Sequence, residues 1–224
     1  MIADAITSYL KLKIRHGGRY SFLKQLDPQA SILDVGCGNG SLSKIRETLP
    51  LCRYTGLDVF PDDSYKNGEN EKFVIADPKN FDTAIAGEGR RFDAVISRHN
   101  LEHCNDRDKT LSAILGTVIH GGQLFISFPS AESVNFPERE GTLNYYDDST
   151  HVGIPPDFPE VTNRILESGF EIEFSARNFR PLVDRVRGFL NEPKSRKQNR
   201  LMAGTWDYYG FESIIWARNA TPTR

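Results

Sequence analysis

A chain of 224 residues can bury one full-sized core, and single α/β domains commonly reach this length. Its 28 basic and 30 acidic residues leave a net charge of -2, so no global charge attracts it to nucleic acid or to an anionic membrane. Any basic binding face must be local. The three cysteines lack a Cys-x-x-Cys spacing, which argues against a disulfide framework or a zinc site.

The N-terminal segment, residues 1–27, is predicted to form helices because apolar residues such as Ile6, Leu10 and Ile14 follow helical spacing. These helices cover a sheet or, alternatively, cap a substrate cavity. Asp4 stands where a signal peptide would be positively charged, and no apolar run is long enough to span a bilayer. We therefore expect a cytoplasmic protein without membrane insertion.

The strongest local pattern is an apolar run over residues 31–35 that ends in Gly36, Gly38 and Gly40. It predicts a buried strand, a tight turn and then a helix that begins at Ser41. Glycines lack the Cβ atoms that would hold a ligand away from the backbone, and a helix N-terminus offers free amide groups. The turn is therefore a predicted binding site.

Two acids end the next two predicted strands. Asp58 lies about 20 positions beyond the glycine turn, where an acid can accept both ribose hydroxyls of a nucleoside. Asp77 ends a strand over residues 73–77 and is placed either to receive the amine of an adenine or to cap the turn before Pro78. The sequence leaves these two roles of Asp77 open.

Further strands are predicted over 91–97, 123–128, 170–174 and 211–216, with helices between them. The helix that precedes the fifth strand is expected to end at Gly121–Gly122. Alternating strands and helices imply right-handed crossovers and a mainly parallel sheet. Ligands bind such sheets at the carboxyl ends of the strands, where the glycines and acids lie.

Two segments are too long for plain connections. Residues 129–156 form an aromatic-rich loop at the ligand edge, and we expect them to contact substrate. Residues 177–209 are rich in Arg and Lys and then in aromatic residues. This basic run is either a solvated face or a site that recognises a phosphate or carboxylate of the substrate.

The pattern Asp34-x-Gly-x-Gly-x-Gly40 resembles the first motif of class I S-adenosylmethionine-dependent methyltransferases, particularly the small-molecule branch of quinone-biosynthesis and sugar-modifying enzymes. Dinucleotide-binding Rossmann proteins use Gly-x-Gly-x-x-Gly instead, and here the third glycine comes one residue early. Residues 92–103 are similar to the fourth motif of the methyltransferase family, and residues 121–126 to its fifth strand.

The resemblance implies a single methyltransferase domain over residues 1–224. Its fold would be α/β, with a Rossmann-like, seven-stranded, mostly parallel sheet, helices on both faces and an antiparallel last strand. The cofactor would be S-adenosylmethionine, with Asp34 at its methionine part, Asp58 at the ribose and Asp77 at the adenine. The implied cofactor-binding residues are Asp34, Gly36, Cys37, Gly38, Asp58, Val59, Asp77 and Ser97.

A sulfonium methyl group is already activated, so the protein must align a nucleophile and remove a proton when that nucleophile is a hydroxyl. His151 is the favoured base because it lies in the loop where substrate would enter, and His99 follows closely. His103 is expected mainly to orient the turn after the fourth strand. The predicted substrate-binding residues are Arg98, Asn100, Tyr145, Tyr146 and Arg180.

The leading functional hypothesis is O-methylation of a polar small molecule such as a sugar, a sugar nucleotide or a carboxylated metabolite. One alternative is an RNA methyltransferase that uses the basic segment 177–200, and another is a non-catalytic fold that binds S-adenosylmethionine or a partner. Glu102, Asp147, Asp148 and the histidines form no recognised metal motif, so a divalent cation is the weaker chemical option and no metal is predicted. The oligomeric state stays open.

Overall fold

The computed structural model describes residues 17–60, 68–88 and 92–220. The helix predicted over residues 2–14 lies outside the described residues. Within them, seven strands form one sheet. The strands are β1 (Ser31–Val35), β2 (Arg53–Asp58), β3 (Glu71–Ile75), β4 (Phe92–Arg98), β5 (Val118–Pro129), β6 (Phe170–Ala176) and β7 (Glu212–Asn219).

The strand order is β3-β2-β1-β4-β5-β7-β6, and β1 to β5 are mutually parallel. The last strand, β7, lies between β5 and β6 and runs antiparallel to both. The predicted fold class is thereby confirmed. The order reverses between β1 and β4, and a ligand site is expected in the crevice at such a switch point.

Helices cover the sheet in the described regions: α1 (Arg19–Leu23), α2 (Ser41–Arg46), α3 (Phe81–Gly87), α4 (Arg107–Thr117), α5 (Phe158–Glu167), α6 (Leu182–Gln198) and α7 (Thr205–Tyr209). The predicted end of α4 was wrong. That helix stops at Thr117, because buried Val118 already pairs with Phe92 and begins β5. Gly121 and Gly122 therefore lie inside the strand.

The core forms two layers, one on each face of the sheet. Leu33 and Val35 of β1 pack in the layer that holds α3, α4 and α5, whereas Ile32 packs in the layer that holds α1 and α2. Side chains alternate between the faces along a strand, so the continuous apolar run in β1 supplies both layers. Among the described helices, none is long and apolar enough to cross a membrane.

Candidate active site

The glycine turn follows β1 and leads into α2. Gly36, Gly38 and Gly40 have φ angles of +68°, +52° and +76°, a region that residues with a Cβ atom rarely adopt. A Cβ on Gly36 would lie 2.6 Å from Asn100 Oδ1, so Gly36 is required for packing. No described atom lies within 4 Å of the corresponding position on Gly38 or Gly40. These two glycines leave room for a ligand beside the backbone.

Asp58 ends β2 directly beside this turn. Its Oδ2 accepts a hydrogen bond from the Gly38 amide at 2.8 Å, and its Oδ1 accepts from the amides of Val59 and Phe60 at 2.7 and 3.1 Å. Three backbone donors therefore fix the orientation of the carboxylate. A fixed acceptor at this strand end suits the paired hydroxyls of a ribose.

A pocket of about 160 Å³ opens beside Asp58, at the carboxyl ends of β2 and β4. Its lining is Asp58, Val59, Pro78, Lys79, Phe81, Asp82, Asn100, His103, Cys104, Asn105, Asp106 and Thr110. Whole ligand sites usually measure roughly 300–1,000 Å³, so this pocket fits the nucleoside part of a larger ligand. A cavity of about 510 Å³ lies at the opposite edge of the sheet, near the start of β5, and its position makes it a poor candidate.

Asp77 caps a short 3₁₀ turn beside the pocket. Its Oδ1 accepts a hydrogen bond from the Lys79 amide at 2.9 Å, and the side chain is exposed. The pocket lining includes the neighbouring Pro78 and Lys79 but does not include Asp77. Of the two predicted roles, the capping role is the one that this geometry displays, and adenine binding stays a prediction.

Asp34 lies beneath the glycine turn and is buried. Its Oδ2 accepts hydrogen bonds from Ser41 Oγ at 2.5 Å and from the Tyr54 hydroxyl at 3.0 Å. Burial raises the pKa of Asp34, while these two hydrogen bonds and the charge of Arg19 oppose that rise. Asp34 thus holds the turn from below, and a direct contact with the methionine part of the cofactor stays a prediction.

Arg19 is a residue that the sequence interpretation missed. It lies on α1, and its Nη1 donates to Ser41 Oγ at 3.2 Å, which brings a guanidinium to the first residue of α2. The only signal in the sequence was its position just after Gly17–Gly18, and an isolated arginine at a helix start has no distinctive spacing.

His99 follows β4 with a φ of +50°, a strained conformation for a residue with a Cβ atom. Its Nδ1 lies 3.1 Å from Glu102 Oε1, and its Nε2 lies 3.1 Å from Glu212 Oε1. The ring packs against Trp206 and stacks on Phe211. Arg98 Nε also donates to Glu212 Oε1, at 3.4 Å.

The charges around His99 favour its protonated form. Burial alone would lower the pKa of His99, but the hydrogen bonds and charges of Glu102 and Glu212 outweigh it and raise the pKa to about 9. Burial would likewise raise the pKa of Glu212, and the His99 partner lowers it to about 2. An imidazolium with both N–H groups engaged cannot take up a proton at neutral pH. The geometry therefore disfavours the base role predicted for His99.

His103 lines the pocket, and the largely buried ring of His151 lies beside it, with the two ring centroids 4.9 Å apart. The Thr150 hydroxyl donates to Asp148 Oδ1 at 2.6 Å and therefore accepts from His103 Nδ1 at 2.9 Å. His151 Nδ1 lies 2.5 Å from the Tyr145 carbonyl oxygen, which can only accept. Both rings thus carry their proton on Nδ1 when neutral, and the Nε2 atoms are left as acceptors.

The predicted substrate-binding residues do not gather at one place. Tyr145 is fully buried; its hydroxyl contacts Arg107 and the Val152 carbonyl, and its ring stacks under His151 at 4.4 Å. It supports His151 and does not face an acceptor, which corrects that prediction. Arg180 Nη2 donates to the Tyr209 carbonyl, Tyr146 is 61% exposed, and Asn100 lines the nucleoside pocket. Asn100 Nδ2 also donates to the buried Ser97 hydroxyl at 3.5 Å.

Glu102, His103 and His151 can each direct one ligand atom into a common space, with these atoms within 4.8 Å of one another. Glu102 is fully buried, and its Oε2 has no hydrogen-bond partner among the described residues. Asp147 is unavailable to such a site because its Oδ2 accepts from the amides of Arg139, Leu143 and Asn144. The two Nε2 atoms and a carboxylate suit either proton transfer or a divalent cation.

Comparison with known proteins decides the family. A family model described as a methyltransferase domain matches residues 7–173, which is most of the chain. The chain belongs to this methyltransferase family. The predicted class I S-adenosylmethionine-dependent methyltransferase type is confirmed at this level, and S-adenosylmethionine is the cofactor of the class. Gly38, Gly40 and Asp58 fit that cofactor, because they leave open backbone and a fixed acceptor beside the nucleoside pocket.

Relatives and solved structures agree with this family. The methyltransferase is 29% identical over 163 residues to a ubiquinone biosynthesis O-methyltransferase of Methylobacterium sp. (strain 4-46), in a match that covers 69% of this chain and 65% of the relative. A methyltransferase of Haloferax volcanii, solved with the Trm112 methyltransferase activator, aligns with a TM-score of 0.62 at 14% identity over 98% of this chain and 96% of its own.

An S-adenosylmethionine-dependent methyltransferase of Mesorhizobium loti aligns with a TM-score of 0.60 at 16% identity, over 92% of this chain and 99% of its own. At such identities the structural matches establish the fold of the methyltransferase and nothing finer.

Proposed function

We propose that the protein transfers a methyl group from S-adenosylmethionine to a hydroxyl oxygen of a small molecule, with His151 as the base and His103 as its neighbour in the site. The arrangement of the two histidines carries this proposal. Each Nδ1 is held by an acceptor, so each neutral ring leaves Nε2 as a proton acceptor, beside the pocket that His103 lines. A base must lie within hydrogen-bond reach of the proton it removes, and an oriented imidazole meets that need.

The cofactor would be held by the residues around the glycine turn. Gly38 and Gly40 would let the methionine part approach the backbone, Asp58 would accept the ribose hydroxyls, and Val59 with Phe81 would pack on the base. S-adenosylmethionine supplies an electrophilic methyl group that needs alignment and no further activation. The chain therefore contributes position and a proton acceptor.

An oxygen acceptor is supported by the relatives, which are named as O-methyltransferases of ubiquinone biosynthesis. The chain matches 65% of the length of one such relative and 39% of another, so the acceptor is not transferred from them. Sugars, sugar nucleotides and carboxylated metabolites remain our predicted acceptor classes, and phenolic diols join the test panel because of the relatives.

Calorimetry with S-adenosylmethionine tests the cofactor site. We expect Asp58→Ala to lower the affinity by about a hundredfold, because a charged acceptor of two hydroxyls is lost. Asp27→Ala is the matched control, since Asp27 is an exposed aspartate before β1, at the opposite edge of the sheet. Absence of S-adenosylmethionine binding to the unaltered protein would contradict the proposal.

Transfer of a labelled methyl group to the acceptor panel and, separately, to RNA then tests the reaction. Transfer to a hydroxyl-bearing small molecule supports the proposal. Transfer to RNA alone would favour the RNA alternative, and cofactor binding without any transfer would favour the non-catalytic one.

A second candidate chemistry at the same residues is a divalent cation that lowers the pKa of an acceptor diol. It is favoured by the common ligand space of Glu102, His103 and His151 and by the unpartnered Glu102 Oε2. A chelator separates the two chemistries. If His151 acts as a base without a metal, methyl transfer should continue in the presence of the chelator. If a cation is required, the chelator should abolish transfer, and added Mg²⁺ or Zn²⁺ should restore it.

A further inference from the structure

Helix α6 packs against the rest of the protein through its polar and small residues. Its buried residues are Asp184, Gly188, Glu192 and Ser195, at helical spacing along one side. Gly188 meets α7 backbone to backbone, because a Cβ on Gly188 would lie 1.9 Å from the Gly204 carbonyl oxygen. Glu192 Oε1 accepts from the Tyr209 hydroxyl at 2.7 Å. The usual arrangement of an amphipathic surface helix is therefore reversed.

The opposite side of α6 is apolar and faces outward. We call it the α6 outer face, and its members are Leu182, Val183, Val186, Phe189 and Leu190, which are 41–70% exposed. They account for five of the eleven large apolar side chains that are exposed among the described residues. Isolated exposed apolar residues need no explanation, but a contiguous stripe on one helix marks an interaction surface.

Cations border the α6 outer face on both sides. At 100° per residue, Arg185 and Arg196 fall along one margin of the stripe. Lys194 falls along the other, together with Arg187, which is paired with Asp184 at 3.0 Å. The two acids of this helix, Asp184 and Glu192, are both buried on the inner side. The outer half of α6 therefore combines apolar side chains with positive charge and carries no acid of its own.

From this arrangement we infer that α6 docks on an anionic membrane surface, with the outer face in the boundary between headgroups and acyl chains. Helices that lie in a membrane interface have a deep apolar side flanked by Lys and Arg, which reach phosphate groups. A second copy of the chain fits less well, because two such faces would bring their cations together. RNA also fits less well, because its phosphates would bind the cations and leave the apolar stripe exposed to water.

The docked helix is joined to the candidate active site. The α6–α7 backbone contact at Gly188 fixes α7, and Trp206 of α7 has its ring centroid 5.0 Å from that of His99. A protein bound through the α6 outer face would hold the end of β4 at a fixed position relative to the lipid, with α6 and α7 between them. This inference concerns location and does not depend on the transfer reaction.

Vesicle sedimentation with the full chain tests the inference. The probes are vesicles of phosphatidylcholine alone and vesicles of phosphatidylcholine with phosphatidylglycerol. We expect binding to the anionic vesicles that falls as salt is raised, and much weaker binding to the neutral ones. Equal binding to both compositions, or binding to neither, would overturn the inference.

Two double variants separate the apolar contribution to vesicle binding from the electrostatic one. Phe189→Ser with Leu190→Ser removes apolar area, and Arg185→Glu with Arg196→Glu reverses one margin; each is expected to lower the vesicle partition coefficient about tenfold or more. Leu166→Ser on α5 is the matched control, since Leu166 is also about half exposed. All these side chains are exposed, so circular dichroism and S-adenosylmethionine affinity should be unchanged.

Sedimentation equilibrium and RNA binding complete the test. The unaltered chain could prove to be a dimer that becomes a monomer in the Phe189→Ser with Leu190→Ser variant. That result would assign the α6 outer face to a second copy of the chain and overturn the inference. RNA binding that only the arginine variant abolishes, without vesicle binding, would overturn it in favour of nucleic acid.

Discussion

His99 Nε2 and Glu212 Oε1 lie 3.1 Å apart and join the end of β4 to the start of β7. The two residues are 113 positions apart in sequence, and the pair closes the ligand edge of the sheet where β5 and β7 are neighbours. Because His99 is also bonded to Glu102, its ring is clamped between two carboxylates.

This pair predicts how stability depends on pH. The pKa of His99 rises from 6.5 to about 9 on folding, so its contribution is full below pH 6.5 and is lost as pH rises through 9. The pKa of Glu212 falls from 4.5 to about 2, so its contribution is present above pH 4.5 and is lost as pH falls through 2. Urea unfolding across this range should show the largest contribution between pH 4.5 and 6.5.

Glu212→Gln checks the same prediction. We expect it to lower the free energy of unfolding at pH 6 by about 2 kcal/mol and to flatten the decline between pH 6.5 and 9. Glu160→Gln on α5, which replaces an exposed glutamate, is the control. It should change neither the free energy of unfolding at pH 6 nor the decline of stability between pH 6.5 and 9. A Glu212→Gln profile that matches the unaltered protein would show that the pair contributes nothing to folding.

Much of the fold was predictable because its signals are local. The alternation of buried strands with helices, the glycines after β1 and the acid after β2 all follow from periodicity and spacing within short windows. The antiparallel β7 was predicted only from the family resemblance, and the strand order was not predicted at all. The two-sided burial of β1 follows from an uninterrupted apolar run.

The finer parts of the site were not predictable, because they depend on contacts between distant segments. No residue near His99 in the sequence indicates that Glu212 will contact it. Both ring nitrogens of His99 are engaged by carboxylates, which weakens the base role that the position of His99 suggested. Tyr145 looked like a substrate contact in a functional loop, but its burial under His151 is a tertiary property. Spacing also gave no sign of Arg19.

His151→Ala should separate chemistry from binding. We expect kcat to fall by about 10²- to 10⁴-fold, as for loss of a general base, with the affinity for S-adenosylmethionine unchanged. His120→Ala is the control, since His120 is exposed in β5 at the opposite edge of the sheet. Steady-state kinetics with the identified acceptor gives the measurement, and full activity of His151→Ala would remove it from the role of base.

Gly36→Ala and Gly38→Ala should have different effects. At Gly36 the new methyl group meets Asn100, so the free energy of unfolding should fall by about 2 kcal/mol or more. At Gly38 the methyl group points into open space, so the loss should be near 1 kcal/mol, from φ alone.

The affinity for S-adenosylmethionine should respond more strongly to Gly38→Ala than to Gly36→Ala. The folded Gly38→Ala protein should bind S-adenosylmethionine at least about tenfold more weakly, because the methyl group fills the space left for the ligand. Unfolding curves and calorimetry on both variants give the comparison. Normal affinity in Gly38→Ala would place the cofactor elsewhere.

Gly188→Ala tests the attachment of α6 to α7. The added Cβ would lie 1.9 Å from the Gly204 carbonyl oxygen, and backbone cannot move aside as a flexible side chain can, so the helices must separate. We expect the free energy of unfolding to fall by about 3 kcal/mol. Gly116→Ala in α4 is the matched control, because no described atom crowds that position, and alanine there should raise stability by about 0.5–1 kcal/mol. If both variants unfolded at the same urea concentration, the close α6–α7 contact would be wrong, and the reversed orientation of α6 that depends on it would fail as well.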